Sequence, residues 1–287
     1  MMMFFIGLIC LLSSVFIGYL AIGGNIYILF KPSEWIIIIG AAIGSYIIAN
    51  PLNIINDMLK SLKDLTKKAP YNKDDYLQIL TFMFNFFKFS HANGLVELEN
   101  HIDNTEKSEL FKTFPVISER YDVKVFFCDY FRMIILGFED CNELENMMEN
   151  DIESRKHRAL NVPQSLIKIG DALPALGIVA AVLGVITAMG SIGSDPSILG
   201  PKIASALVGT FIGAFTAYGL VNPIGYFLSK FKEEEIEFLE CIKAGIIAHV
   251  NGYPPSIAIE FARQVIPAFY KPSFHEVEQK LERHVTK

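Results

Sequence analysis

Two apolar segments joined by one short loop constrain the fold of this chain most strongly. The first covers residues 170–189 and the second covers residues 203–227. As helices, both are long enough to cross a hydrocarbon core of roughly 30 Å, which takes about 20 residues. We therefore expect a membrane protein organised around this pair.

Both segments carry small residues at helical spacing and one proline each. Glycines recur every seven residues in the first segment and every four in the second: Gly177, Gly184, Gly209 and Gly213. Small residues in register let helix backbones approach closely in lipid. Pro174 and Pro223 each remove one helix hydrogen bond and favour a kink. Ordinary helix packing would explain one such segment, whereas two together indicate a packed, functional membrane core.

Composition excludes several classes of function. The formal net charge of −6 offers no basic field for nucleic acid. The four cysteines form no CxxC motif or His/Cys cluster, so neither a zinc site nor a disulfide framework is indicated. No GxxxxGK[ST], HExxH or GxSxG pattern occurs. We expect no enzyme activity, no catalytic residues, no metal and no cofactor.

Two further apolar segments precede the central pair. The first transmembrane helix is predicted from Phe4 to about Ile22, and the second from about Trp35 to Ala49, with Ser33 as its candidate N-cap. The basic residues of the two short loops on one side of the membrane are only Lys31 and Lys202. Basic residues cluster on the other side: Lys60, Lys63, Lys67, Lys68, Arg155, Lys156, Arg158, Lys230 and Lys232. The positive-inside rule then places the long loop and both termini in the cytoplasm.

The fold class that follows is an all-α membrane protein. We predict four transmembrane helices with a large helical cytoplasmic domain between the second and third. Residues 1–50 would hold the first two membrane helices and residues 51–165 the cytoplasmic domain. Residues 166–229 would hold the third and fourth helices, and 230–287 further cytoplasmic helices. Within these parts we expect a charged helix from Glu143 to Arg158, and another that opens at Glu233.

The membrane segments lack an obvious ion carrier. No charged side chain lies near their middle, and Asp171 comes closest, near the start of the third segment. Asp171 is either an interfacial helix N-terminal carboxylate or part of an ion exit path. Thr210 is the strongest deep polar candidate, with Thr187, Ser191 and Thr216 as others, although such hydroxyls often bond their own helix. A path lined by this chain therefore needs a partner that supplies the carrier.

Several motifs in order resemble the MotA family of flagellar motor stator subunits. They are GDALPALGIVAAVLGVITAMGS at 170–191, LVGTFIGAFTAYGLVNPI at 207–224 and NGYPPSIAIEFAR at 251–263. The stretch ELENHIDNTEKSELFKTFP at 97–115 is similar to the rotor-facing segment of that family.

The resemblance implies an architecture in the bacterial inner membrane. Five such chains would surround a dimer of MotB-like subunits, each with a single membrane helix that carries the ion-binding aspartate. Pro174 and Pro223 would be the conformational prolines, and Glu99 the acidic contact to a FliG-like rotor protein. The basic rotor contact falls at His91, where the family usually has arginine, and Lys88 on the same helix face could replace it.

The resemblance also bears on the transported ion. Sodium-driven relatives carry a hydroxyl side chain seven residues after the first conformational proline, and here that residue is Ala181. In those relatives this hydroxyl is paired with that of a threonine on the fourth helix, which is Thr210 here. Because one hydroxyl of the pair is missing, we expect inward proton flow. The alternative function is a TolQ/ExbB-like proton-driven energy transducer or a non-motor membrane scaffold. A neighbouring gene for a single-span protein with a membrane aspartate and a peptidoglycan-binding domain would favour the motor.

Overall fold

The computed structural model describes residues 2–62, 65, 70–138, 140–190 and 196–285. Of the residues considered above, Lys63, Lys67, Lys68 and Ser191 lie outside this part of the chain. The regular elements of the described residues are all helical. In chain order they are α1 (Met2–Ala21), α2 (Ile26–Leu29), α3 (Pro32–Ala49), α4 (Leu52–Ser61), α5 (Lys73–Asn93), α6 (Leu95–Asp103), α7 (Glu109–Lys112), α8 (Pro115–Ser118), α9 (Tyr121–Ile135), α10 (Cys141–Met189), α11 (Pro196–Thr216), a π-helix (Ala217–Val221), α12 (Asn222–Val250), α13 (Pro255–Val265) and α14 (Phe274–Val285).

Four stretches of helix among the described residues are long and apolar enough to cross a bilayer. They lie within Phe4–Ala21, Ile26–Ala49, Cys141–Met189 and Lys202–Val250. The predicted fold class is confirmed: the chain is an all-helical, multi-pass membrane protein with a large helical region between its second and third spans.

The chain divides into two compact units. The first unit comprises Met1–Lys68 and Ala159–Phe231, and the second comprises Ala69–Arg158 and Lys232–Lys287. Helices α10 and α12 contribute residues to both. In the first unit, α3 packs against α11 around a small core that includes Ile38, Leu173 and Ile212.

The second unit is built around an aromatic core. Phe82 and Phe86 of α5 meet Phe127 and Phe131 of α9 at ring-centroid distances of 4.7–5.0 Å, edge to face. Such pairs add about 0.5–1.5 kcal/mol each beyond the burial of their area. This core fixes α5, so its exposed side chains are presented from a rigid helix.

Three predicted helix boundaries were wrong. Helix α3 begins at Pro32 after an N-cap at Lys31, so Ser33 lies inside the helix; proline is favoured in the first helical turn because its missing N–H needs no partner there. The stretch that begins at Glu143 and the third membrane span form one helix, α10. Glu233 likewise opens no new helix, because α12 runs without a break from Asn222.

Candidate functional site

Helices α10 and α11 approach each other closely through glycines. A Cβ placed on Gly177 would lie 2.8 Å from the carbonyl oxygen of Gly209 and 3.0 Å from the Cα of Gly213. A Cβ placed on Gly184 would lie 3.0 Å from the Cα of Ala206. Backbone therefore packs on backbone, and the structure brings together all four glycines that the sequence singled out.

The two residues expected to select the ion flank this interface. A Cβ on Gly209 would lie 3.1 Å from the backbone nitrogen of Ala181, so Ala181 sits against this part of α11. Ala181 is half-buried. Thr210, which follows Gly209 on α11, is exposed on the surface of the single chain. The hydroxyl of Thr210 is thus available to a molecule outside this chain.

Pro223 lies two residues after the end of the π-helix, in the first turn of α12. Proline has no N–H to donate to the carbonyl four residues earlier, here that of Gly219, and its ring crowds that carbonyl. The chain passes through the π-helix just before Pro223, and the N–H of Asn222 donates to the carbonyl of Ala217, five residues back. Such π-bulges are frequent at functional sites. Pro174, by contrast, lies within the continuous helix α10.

A hydrogen bond links the neighbourhoods of the two prolines. The side-chain nitrogen of Asn222 donates to Oδ1 of Asp171 at 2.8 Å. Asp171 lies three residues before Pro174, and Asn222 directly precedes Pro223. Asp171 is exposed and Asn222 is buried. The bond therefore connects the two helix segments that carry the prolines.

Sequence reasoning missed two polar side chains of the first unit. The sequence analysis assigns no role to Asn222, although an Asn-Pro pair within an apolar segment could have indicated one. Glu34 lies in the first turn of α3 and is 5% exposed, buried within the chain itself. In the sequence, a carboxylate directly before an apolar run could have indicated that Glu34 is buried.

The residues expected to contact a rotor lie in the second unit. Lys88 and His91 are on α5 and Glu99 is on α6, and all three are exposed. Gly94 joins the two helices with φ of 82°, a conformation that favours glycine. The ring of His91 lies 5.2 Å from the ring of the buried His249. No cluster of three His, Cys, Asp or Glu that could hold a metal occurs among the described residues.

Two family models match the chain. "Motility protein A N-terminal" matches residues 5–94, and "MotA/TolQ/ExbB proton channel family" matches residues 125–240. The second match includes α10, α11 and the π-helix, and so covers the glycine interface and both prolines. These are families of motility proteins and proton channels rather than of enzymes.

Curated relatives match along nearly the whole chain. Motility protein A of Escherichia coli strain K12 is 38% identical over 97% of this chain and 94% of its own length. The chemotaxis protein LafT of Vibrio parahaemolyticus is 32% identical over 96% of this chain and 97% of its own length.

Two solved structures share the fold. The C. jejuni MotAB structure aligns with a TM-score of 0.75 at 21% identity, over 92% of this chain and 95% of that one. The flagellar MotAB stator complex from Bacillus subtilis aligns with a TM-score of 0.73 at 22% identity, over 96% and 98%.

Proposed function

Because the chain belongs to the motility protein A family and has the function of a flagellar motor stator subunit, we propose that it passes protons inward and converts their flow into torque. The observation that carries this proposal is the glycine interface of α10 and α11, which places Gly209 against Ala181 and leaves the next residue, Thr210, exposed. A small-residue face next to an exposed hydroxyl suits the approach of a partner helix. The match of residues 5–94 to the motility protein A model favours the motor over the energy transducer.

The partner in this proposal is a MotB-like subunit with a single membrane helix. The two solved structures described above are both named as MotAB. Apolar side chains of α10, such as Val182 and Ile186, remain exposed in the single chain, which suits burial against neighbouring copies and lipid. We propose a ring of five copies in the inner membrane with both termini in the cytoplasm. The aspartate of the MotB-like helix would carry the proton.

Proton rather than sodium transport follows from the ligands available. Sodium needs several oxygen ligands to replace its hydration shell, as hard cations do in proteins. Ala181 offers a methyl group where the sodium-driven relatives carry a hydroxyl, so Thr210 supplies the single hydroxyl of this pair of residues. A proton requires only one carboxylate and a water path, and no further cofactor.

Movement would start at the prolines and end at the rotor. Protonation of the partner aspartate would shift α10 and α11 against each other, and the bond between Asp171 and Asn222 would couple the shifts at Pro174 and Pro223. The exposed Lys88, His91 and Glu99 would press on a FliG-like rotor protein. Such surface charges contribute about 0–1 kcal/mol each, so the contact would be a graded electrostatic one.

The experiment that tests the motor is deletion and complementation. A strain without this gene should build flagella that do not rotate, and the intact gene should restore rotation of tethered cells. Normal rotation after deletion would contradict the proposal. Loss of an envelope transport process with rotation unchanged would favour the energy transducer instead.

A further inference from the structure

Glu34 is a buried acidic side chain that the proposed mechanism does not yet use. It lies in the first turn of α3 and is 5% exposed, and its Oε2 finds no hydrogen-bond partner among the described residues. This burial is produced by the chain itself and needs no partner subunit.

The carboxyl of Glu34 reaches the junction of three membrane helices. A Cβ placed on Gly209 of α11 would lie 3.0 Å from Oε2 of Glu34 and 3.1 Å from the backbone nitrogen of Ala181 on α10. Gly209 has no side chain, and the carboxyl occupies the space that one would fill. An acidic oxygen therefore lies against Gly209, close to the backbone of Ala181, and Gly209 directly precedes Thr210 on α11.

In the part of the chain that the structure describes, few charged residues belong to the helix segments around Glu34. It is the only charged residue of α3, and residues 174–189 of α10 carry none. Lys31, at the N-cap of α3, acts on the carboxyl by its charge, and Lys202 is the single charged residue of α11, two helical turns before Gly209. An unpaired charge buried in a membrane span is costly, and such ionisable groups usually mark ion or proton pathways.

We propose that Glu34 is a proton-binding group on the outer side of the ion path, an inference that rests on the proposed function. The neutral acid gives its Oε2 proton to a water on the path and becomes a carboxylate. A proton from outside the cell then restores the acid. Glu34 would thus load the path ahead of the carrier aspartate of the partner, and would adjust the rate of proton supply.

Two variants of the complete stator complex test this role. Glu34→Gln keeps the size of the side chain but cannot release a proton, whereas Glu34→Asp keeps the carboxyl. Glu149→Gln, the same chemical change at an exposed position of α10 in the second unit, is the matched control. The level of each variant in the membrane is measured first, by immunoblot.

The first readout is the speed of tethered cells at low load as external pH is varied. We expect Glu34→Gln to lose the dependence on external pH that the parent, Glu34→Asp and Glu149→Gln retain. The inference would be overturned if Glu34→Gln, at parental levels, matched the parent at every external pH. If Glu34→Gln does not accumulate, Glu34→Asp decides: retained pH dependence supports the inference and its loss overturns it.

The second readout does not depend on rotation. Infrared difference spectra of the reconstituted complex should show a carboxylic acid band that responds to pH, disappears in Glu34→Gln and persists in Glu149→Gln. An unchanged spectrum in Glu34→Gln would overturn the inference. A parent complex that shows this band but drives no rotation would contradict the proposed function and leave the proton site supported.

Discussion

Replacing Gly213 by alanine should separate α10 from α11. The new Cβ would lie 2.7 Å from the carbonyl oxygen of Leu173 and 2.8 Å from the Cα of Gly177. Ordinary van der Waals contact begins at 3.4 Å, so both distances are too short by about 0.6 Å or more. The opposing atoms belong to backbone and cannot turn aside as a flexible side chain would, so the helices themselves must move.

The expected cost follows from two opposing effects. Forcing an extra methyl group into a packed interface costs about 1–3 kcal/mol. Alanine recovers up to about 1 kcal/mol through its better helix propensity. Gly40→Ala is the matched control, because Gly40 is exposed on α3 and a Cβ there meets nothing within 4 Å. The difference in free energy of unfolding between the two variants cancels the propensity effect. It leaves the cost of the close contact, about 1–3 kcal/mol.

The assay combines stability with function. The free energy of unfolding of each variant is measured in detergent micelles by denaturant titration, and swimming is scored at equal protein levels. Gly213→Ala should be less stable than Gly40→Ala by the stated amount and should swim poorly. Equal stability of the two variants would refute the close approach of α10 and α11.

Three further predictions concern the second unit. Glu99→Lys should impair swimming, with partial rescue by a charge reversal on the rotor; full motility of a Glu99→Lys, Lys88→Glu double variant with an unchanged rotor would contradict this contact. The hydrogen bond from Lys73 lowers the pKa of Glu276 from 4.5 to about 2. The ionised Glu276 carboxylate therefore stabilises α14 above pH 4.5, and this stabilisation is lost as pH falls towards about 2. Hydrogen exchange of residues 274–285 should therefore accelerate in that window, and less so in Glu276→Gln; identical acid profiles would argue against the bond. Burial raises the pKa of Cys128 to about 12, so maleimide should label it only after denaturation, and rapid labelling of the native protein would contradict its burial.

The four membrane spans could be predicted from the sequence because apolar length and small-residue spacing are local signals. The extent of α10 could not, because the charged residues after Glu143 and the apolar residues after Gly170 were read as separate segments. No glycine or turn separates them, and Pro163 and Pro174 are both accommodated in one helix. A change in polarity along a sequence need not end a helix.

The buried polar residues of the site were harder to predict. Glu34 is buried because Gly209, far away in sequence, offers no side chain at the point that its carboxyl occupies. Asn222 is significant because its side chain reaches Asp171 across the interface. Both facts depend on which helices pack together, and neither follows from a periodic pattern along one segment.

The central claim, that this chain passes protons to drive rotation, is tested most directly by the ion that sets swimming speed. Speed is measured at fixed external pH over a range of sodium concentrations, with and without a protonophore. We predict that swimming is independent of sodium and stops with the protonophore, because Ala181 leaves Thr210 as the single hydroxyl of the pair. Swimming that rises with sodium and survives the protonophore would contradict the account.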